Sequence, residues 1–201
     1  KTGKFSTRRG DTVHLEYVLQ EAIDKAKELS KEKSNELADQ VGIGAVKYND
    51  LSQHHSKDTV FDWGKILNLK GNSGPYLQYT FARSQSVLEK SGLSTNKISK
   101  TFSNNIVTIV TKLLPQESII LKKLSHFQGI VQKSADNFSP NLICNYIFDL
   151  AQSFNLFYSE VAILKADTKQ QKEFRLALTF AVGQVIKNGL TLLGIESPKK
   201  M

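Results

Sequence analysis

Asn72-Ser73-Gly74-Pro75-Tyr76-Leu77-Gln78-Tyr79-Thr80-Phe81-Ala82-Arg83 sets the class of fold, because from here onward the long apolar patterns of the chain have helical spacing. Ser73 and Gly74 read as caps and Pro75 suits a first helical turn, where its missing N–H is no loss. Tyr76, Tyr79 and Arg83 then fall at i, i+3 and i+7 on one side, with Leu77, Phe81 and Leu88 opposite. One stripe is apolar and suited to burial. The other carries the aromatic and basic groups that stack on bases and meet phosphates. Tyrosines at this spacing also serve ordinary interface packing, so the stretch alone leaves both readings open.

Working outward, the helix predicted over residues 76–90 ends near Gly92, and another over 98–114 stops before Pro115. Ile119, Ile120, Leu124, Phe127 and Val131 predict a third, with an interruption at Gly129 left open. Ser139 as N-cap and Pro140 at N1 open the strongest helix, which buries Ile143, Ile147, Leu150, Ala151, Phe154 and Phe157. Residues 169–188 form the last long helix, stopped by Gly189, after which 190–195 return apolar side chains to the core. Toward the start, an extended run through Val13 and Leu15 leads into a helix striped by Leu15, Val18, Leu19, Ala22, Ala26 and Leu29. Residues 28–39 are charged on nearly every face, a solvated helix and turn. A helix over 35–48 contains Gly42 and Gly44; each costs about 1 kcal/mol relative to alanine, which close backbone packing would offset. Residues 54–58 read as a loop, and 61–69 as either a short strand or a helical turn. The fold class expected is all-α, a helical bundle without internal repeats.

A length of 201 residues with 40% hydrophobic residues suffices for a packed core. No apolar run approaches the roughly 20 residues that cross a bilayer, and residues 1–10 lack the apolar region of a secretory signal, so no membrane partner is expected. The formal net charge of +8 favours a polyanionic partner. Residues 1–40 hold eight basic and eight acidic side chains, which places the excess later, chiefly over 97–133 and 165–200. Cys144 is the single cysteine; this excludes an intramolecular disulfide and a zinc site built on several thiolates, and its place beside Ile143 and Ile147 suits a buried small hydrophobe. His14, His54, His55 and His126 form no i, i+4 pair, and no metal site is expected. A start at Lys1 rather than methionine suggests a piece of a longer protein.

Several segments occur in a telling order: Phe5 to Leu15 (Phe-Ser-Thr-Arg-Arg-Gly-Asp-Thr-Val-His-Leu), Val41 to Ser52, Phe61-Asp62-Trp63, Gly74 to Arg83, Tyr146 to Ala151, Phe154 to Tyr158, Phe174-Arg175-Leu176-Ala177-Leu178 and Gly189 to Ile195. Together they resemble the C-terminal part of the arginyl-tRNA synthetases, a class I family, over nearly the whole chain. The resemblance implies a short tail of the catalytic core over residues 1–73 and an α-helical anticodon-binding domain over 74–201. It implies a parent that attaches arginine to tRNA using ATP with Mg2+, works in the cytoplasm as a monomer, and has the arginine-acceptor tRNA as partner. The other class I signature, a histidine-isoleucine-glycine-histidine motif, is absent from these residues, as is a nucleotide-binding βαβ unit. The fragment alone is therefore expected to be inactive and to bind no cofactor. A freestanding helical RNA-binding module without catalytic activity is the alternative, and a purely structural helical scaffold comes third.

The same resemblance assigns roles to residues. Lys4, Ser6, Thr7 and Arg8 occupy the place of the lysine-methionine-serine-lysine-serine loop, which aims positive charge and donors at the ATP phosphates. Thr7 departs from that pattern by replacing its second lysine, so Arg8 or another part of the enzyme would supply the charge. Tyr76 and Tyr79 would face the tRNA, Tyr158 would lie near the pocket for the second anticodon base, and Met201 against the anticodon loop. Arg83, Lys90 and some of Lys112, Lys122 and Lys123 would meet phosphates, with a solvated face as the competing reading for the lysines. Arg175 fits a structural salt bridge or cap as well as it fits an RNA contact.

Overall fold

A computed structural model describes residues 14–29, 34–57, 61–94 and 113–201. Among the described residues the regular structure is helical and no strand occurs. Helices α1 (Leu15–Leu29) and α2 (Asn35–Leu51) form a hairpin, and a single turn, α3 (Trp63–Ile66), leads to α4 (Gly74–Lys90). Helices α5 (Pro115–Ser125), α6 (Phe127–Asp136), α7 (Asn141–Glu160) and α8 (Lys169–Leu192) complete the bundle.

The core lies between α7 and α8. Ile147, Leu150, Phe154 and Phe157 of α7 are fully buried, as are Leu176, Leu178, Val182, Ile186 and Leu190 of α8. Each such side chain contributes about 1.5–3 kcal/mol by leaving water. Helix α4 packs across α8 and α7 with Leu77, Phe81 and Leu88 inward, α5 and α6 cover the other flank of α7, and α2 joins the hairpin to α4. Side-chain caps start several helices. Ser34 Oγ accepts from the Leu37 amide, Asp62 Oδ1 from Gly64, Thr168 Oγ1 from Gln171, and Ser73 Oγ from Tyr76 while its own proton goes to the Asn68 carbonyl.

The glycine pair of α2 is packed as its cost requires. A Cβ on Gly42 would sit 2.7 Å from the Ile23 nitrogen and 2.8 Å from the Ala22 carbonyl, and one on Gly44 would sit 2.8 Å from Gln78 Nε2. Only hydrogen at Gly42 lets the two hairpin helices approach this closely, and Gly44 gives the same room to the Gln78 side chain of α4. The stripe expected on α1 is buried through Ala22 and Ala26, but Leu15 and Leu29 at its ends stand exposed.

Some boundaries differ from expectation. The break in the α5–α6 region falls at His126, not Gly129, which lies inside α6 with open space around it. Ser139 does not cap α7: its hydroxyl turns back to the Asn137 carbonyl, and Pro140 takes the N-cap place with αR backbone. Helix α8 runs through Gly189, where a Cβ would lie 2.5 Å from Ile147 Cγ2; that glycine serves close packing, and the helix ends at Leu192, with Gly194 just beyond it at a φ of +67° that suits a residue without a Cβ. The segment 61–69 resolves as the helical turn α3. The helix expected over 98–114 lies outside the described residues, apart from its last two positions, which are not helical.

Candidate nucleic-acid interface

The outer side of α4 and the last turn of α7 meet at one guanidinium. Arg83 Cζ lies 4.8 Å from the ring centroid of Tyr79 and 4.8 Å from that of Tyr158, so the cation is held by two aromatic faces from different helices. Its Nη2 donates to the Tyr79 hydroxyl at 3.2 Å and its Nη1 to Asn155 Oδ1 at 2.7 Å. Tyr79 and Tyr158 nevertheless keep 36% and 41% of their surface open, which leaves ring area for a further partner. Tyr76 is used differently. It is half-buried, its ring meets Phe148 edge-on at 5.5 Å, and its hydroxyl accepts from Asn155 Nδ2 at 2.9 Å. The i, i+3, i+7 side thus holds as geometry, with its first tyrosine partly turned into the α4–α7 contact.

Beside Arg83 runs a groove of about 670 Å³. Among its lining residues are Tyr79, Tyr158 and Met201 and four cations, Arg83, Lys90, Lys165 and Lys200, and no Asp or Glu side chain is among them. A concave surface of one sign concentrates anions, and these cations belong to three separate stretches of sequence that only the fold brings together. Met201 reaches the groove because the segment after α8 is tied down twice. Gln78 Nε2 donates to the Glu196 carbonyl at 2.9 Å and to the Gln40 carbonyl at 3.0 Å, and Lys47 Nζ donates to the Gly194 carbonyl at 2.6 Å. Met201 also borders a second, more apolar hollow of about 800 Å³ between the hairpin and α4.

Of the other residues singled out from sequence, Lys4, Ser6, Thr7, Arg8 and Lys112 lie outside the described residues. Lys123 pairs with Asp149 on the flank of α7, and Lys122 is exposed on α5. Arg175 is withdrawn from solvent: its Nε donates to Glu117 Oε1 at 2.8 Å and its Nη1 to the Ala162 carbonyl at 3.1 Å, while Glu117 Oε2 accepts from the Leu114 amide. This decides for the structural salt bridge. Cys144 is fully buried and its thiol is pushed up to about 12 by burial, which suits packing and not nucleophilic chemistry. No group of three or more His, Cys, Asp or Glu side chains placed to hold a metal occurs among the described residues.

Two residues of the interface escaped sequence reasoning, Lys165 and Asn155. Lys165 sits after α7, in an irregular stretch where no period marks its direction. Asn155 carried a weak signal: it is a polar residue flanked by Phe154 and Leu156 on a largely apolar helix, three positions before Tyr158.

The DALR anticodon binding domain model matches residues 77–201, and that of the class I (R) tRNA synthetase catalytic domain matches 1–63. The arginine-tRNA ligase of Lactococcus lactis subsp. cremoris strain MG1363 is 40% identical over 98% of this chain, and that of Halothermothrix orenii 39% over 99%. Thermus thermophilus arginyl-tRNA synthetase superposes with a TM-score of 0.83 at 28% identity over 94% of this chain and 32% of its own length. The Plasmodium falciparum arginyl-tRNA synthetase gives 0.79 at 25% identity, covering 94% and 34%. The chain spans 34% of the length of the Lactococcus relative and 35% of the Halothermothrix one, about a third in each case.

Proposed function

We propose, since the chain belongs to the arginyl-tRNA synthetase family through its DALR anticodon binding domain, that its helical part binds the anticodon region of an arginine-acceptor tRNA. The observation that carries this is the Tyr79–Arg83–Tyr158 sandwich at the edge of a groove lined by four cationic side chains and no Asp or Glu. Splayed bases of a single-stranded loop stack on the open tyrosine faces, at about 1–3 kcal/mol per base, and Lys90, Lys165 and Lys200 meet the backbone phosphates. Met201 closes the groove with a flexible apolar side chain.

In this reading residues 1–73 are the end of a catalytic core and 74–201 the anticodon-binding domain, with the break at the Ser73 cap. The parent enzyme attaches arginine to tRNA at the expense of ATP with Mg2+, in the cytoplasm and as a monomer. Lys4, Ser6, Thr7 and Arg8 serve the ATP phosphates there, and the 201-residue chain alone forms no aminoacyl-adenylate. No helix among the described residues is long and apolar enough to cross a membrane.

Titrating an arginine-acceptor tRNA transcript into the chain tests the site. Tyr158→Ala should cost about 1–3 kcal/mol of binding, and Tyr158→Phe, which keeps the ring and loses only the hydroxyl, much less. Normal binding by a folded Tyr158→Ala chain with a lowered melting temperature would make the tyrosine a packing residue and end the assignment.

A further inference from the structure

Asn155 lies where α7 meets α4 and touches three side chains of α4 at once. Its Oδ1 accepts from Arg83 Nη1 at 2.7 Å; its Nδ2 donates to the Tyr76 hydroxyl at 2.9 Å and to Thr80 Oγ1 at 2.9 Å. The partners dictate which way the amide faces. A guanidinium only donates, so the amide oxygen must meet Arg83. Thr80 commits its own proton to the Tyr76 carbonyl at 2.8 Å, which leaves its oxygen as an acceptor for the amide nitrogen. Turned over, the amide would set nitrogen against guanidinium and oxygen against an accepting hydroxyl.

The guanidinium so held is the element that joins the two tyrosines. Arg83 faces Tyr79 of its own helix and Tyr158 of α7 at equal distance, on the rim of an open groove. A long side chain at such a rim has several rotamers, and the bond from Nη1 to Asn155 selects one of them. Resting on the reading of this face as the tRNA site, we propose that Asn155 is a positioning residue: it sets the plane of Arg83, and through it the spacing of Tyr79 and Tyr158, without itself touching RNA.

A double-mutant cycle on tRNA binding by the 201-residue chain tests this, with Arg83→Ala, Asn155→Leu and both together. With Arg83 present, Asn155→Leu should weaken binding about tenfold or more, the usual consequence of losing a hydrogen bond to a charged group. In the Arg83→Ala background the same change should cost about twofold or less, because the group being positioned is gone. Equal losses in both backgrounds mean a merely structural asparagine and overturn the proposal, as does a silent Asn155→Leu. If the leucine variant shows no cooperative melt, Asn155→Ala replaces it. The methyl group can neither accept from Arg83 nor donate to Thr80, so binding should again fall about tenfold, only with Arg83 present. Wild-type binding by Asn155→Ala overturns the proposal. Should Arg83→Ala and Tyr158→Ala both bind normally, the reading of the face fails and the positioning role with it; a loss on Arg83→Ala beside a silent asparagine variant removes the positioning role alone.

Discussion

The α1–α2 hairpin and the α4–α8 bundle are held by opposite means. In the bundle, large side chains fill space: Phe154 and Phe157 on α7 and Leu176, Leu178 and Ile186 on α8 have no exposed surface. The contact face of the hairpin is made of Ala22, Ala26, Gly42 and Ala45, so the helix backbones approach within the reach of a methyl group while Leu15 and Tyr17 keep 66% and 68% of their surface open. A bundle of the first kind is sensitive to atoms removed. A hairpin of the second kind is sensitive to atoms added.

The largest effect is expected where the bundle buries charge. Glu117 satisfies both Arg175 Nε and the Leu114 amide from a nearly closed site. Glu117→Ala should cost about 3–5 kcal/mol in a urea titration, since it strands a buried guanidinium that keeps its bond to the Ala162 carbonyl but loses its counter-ion. A loss below about 1 kcal/mol would mean that water reaches Arg175 and that the bundle is looser than its packing.

Next comes the hairpin. Gly42→Val must push its new atoms against the backbone of Ala22 and Ile23, which cannot rotate away. An overall loss of about 1–3 kcal/mol is expected. Its location sharpens the comparison more than its size does. Amide exchange should accelerate along α1, whose main packing partner is α2, while α7 and α8 keep their protection. Uniform acceleration would make hairpin and bundle a single cooperative unit.

Sequence made the bundle legible because the positions that fill it are large and regularly spaced. Ile143, Ile147, Leu150, Ala151, Phe154 and Phe157 announce one buried side, and the structure buries each of them. Helix ends were less legible, since glycine has two uses. At Gly194 it turns the chain at positive φ, at Gly189 it admits Ile147, and no local pattern tells one from the other. The candidate site was legible as residues expected on one surface, and not in the contacts that join them. Tyr79 and Arg83 share a helix face by periodicity, but Tyr158 and Met201 reach them only through the α4–α7 crossing and the Gln78 bonds to Gln40 and Glu196. Asn155 illustrates the remainder: its role depends on which atoms face it across a helix contact, and spacing along one helix does not encode that.

The smallest effect separates exposed apolar residues from buried ones of the same kind. Tyr17 lies on the open side of α1 with His14 as its ring neighbour, centroids 5.8 Å apart, and Leu15 is the first residue of the helix. Replacing each by serine removes little buried area, so the change in unfolding free energy of this chain should stay within about 0.5 kcal/mol. The helix propensity of serine, slightly below that of leucine, points to a small loss, while a more soluble unfolded chain shifts the reference state by a few tenths. A change above about 1.5 kcal/mol in either variant would show that the outer face of α1 is covered in solution, by another part of the chain or by a second copy. Repeating the melt over a hundredfold range of protein concentration tells these apart, because only association makes the midpoint depend on concentration. A covered outer face would end the contrast with the bundle, since the hairpin would then also bury large side chains, on the side facing away from α2.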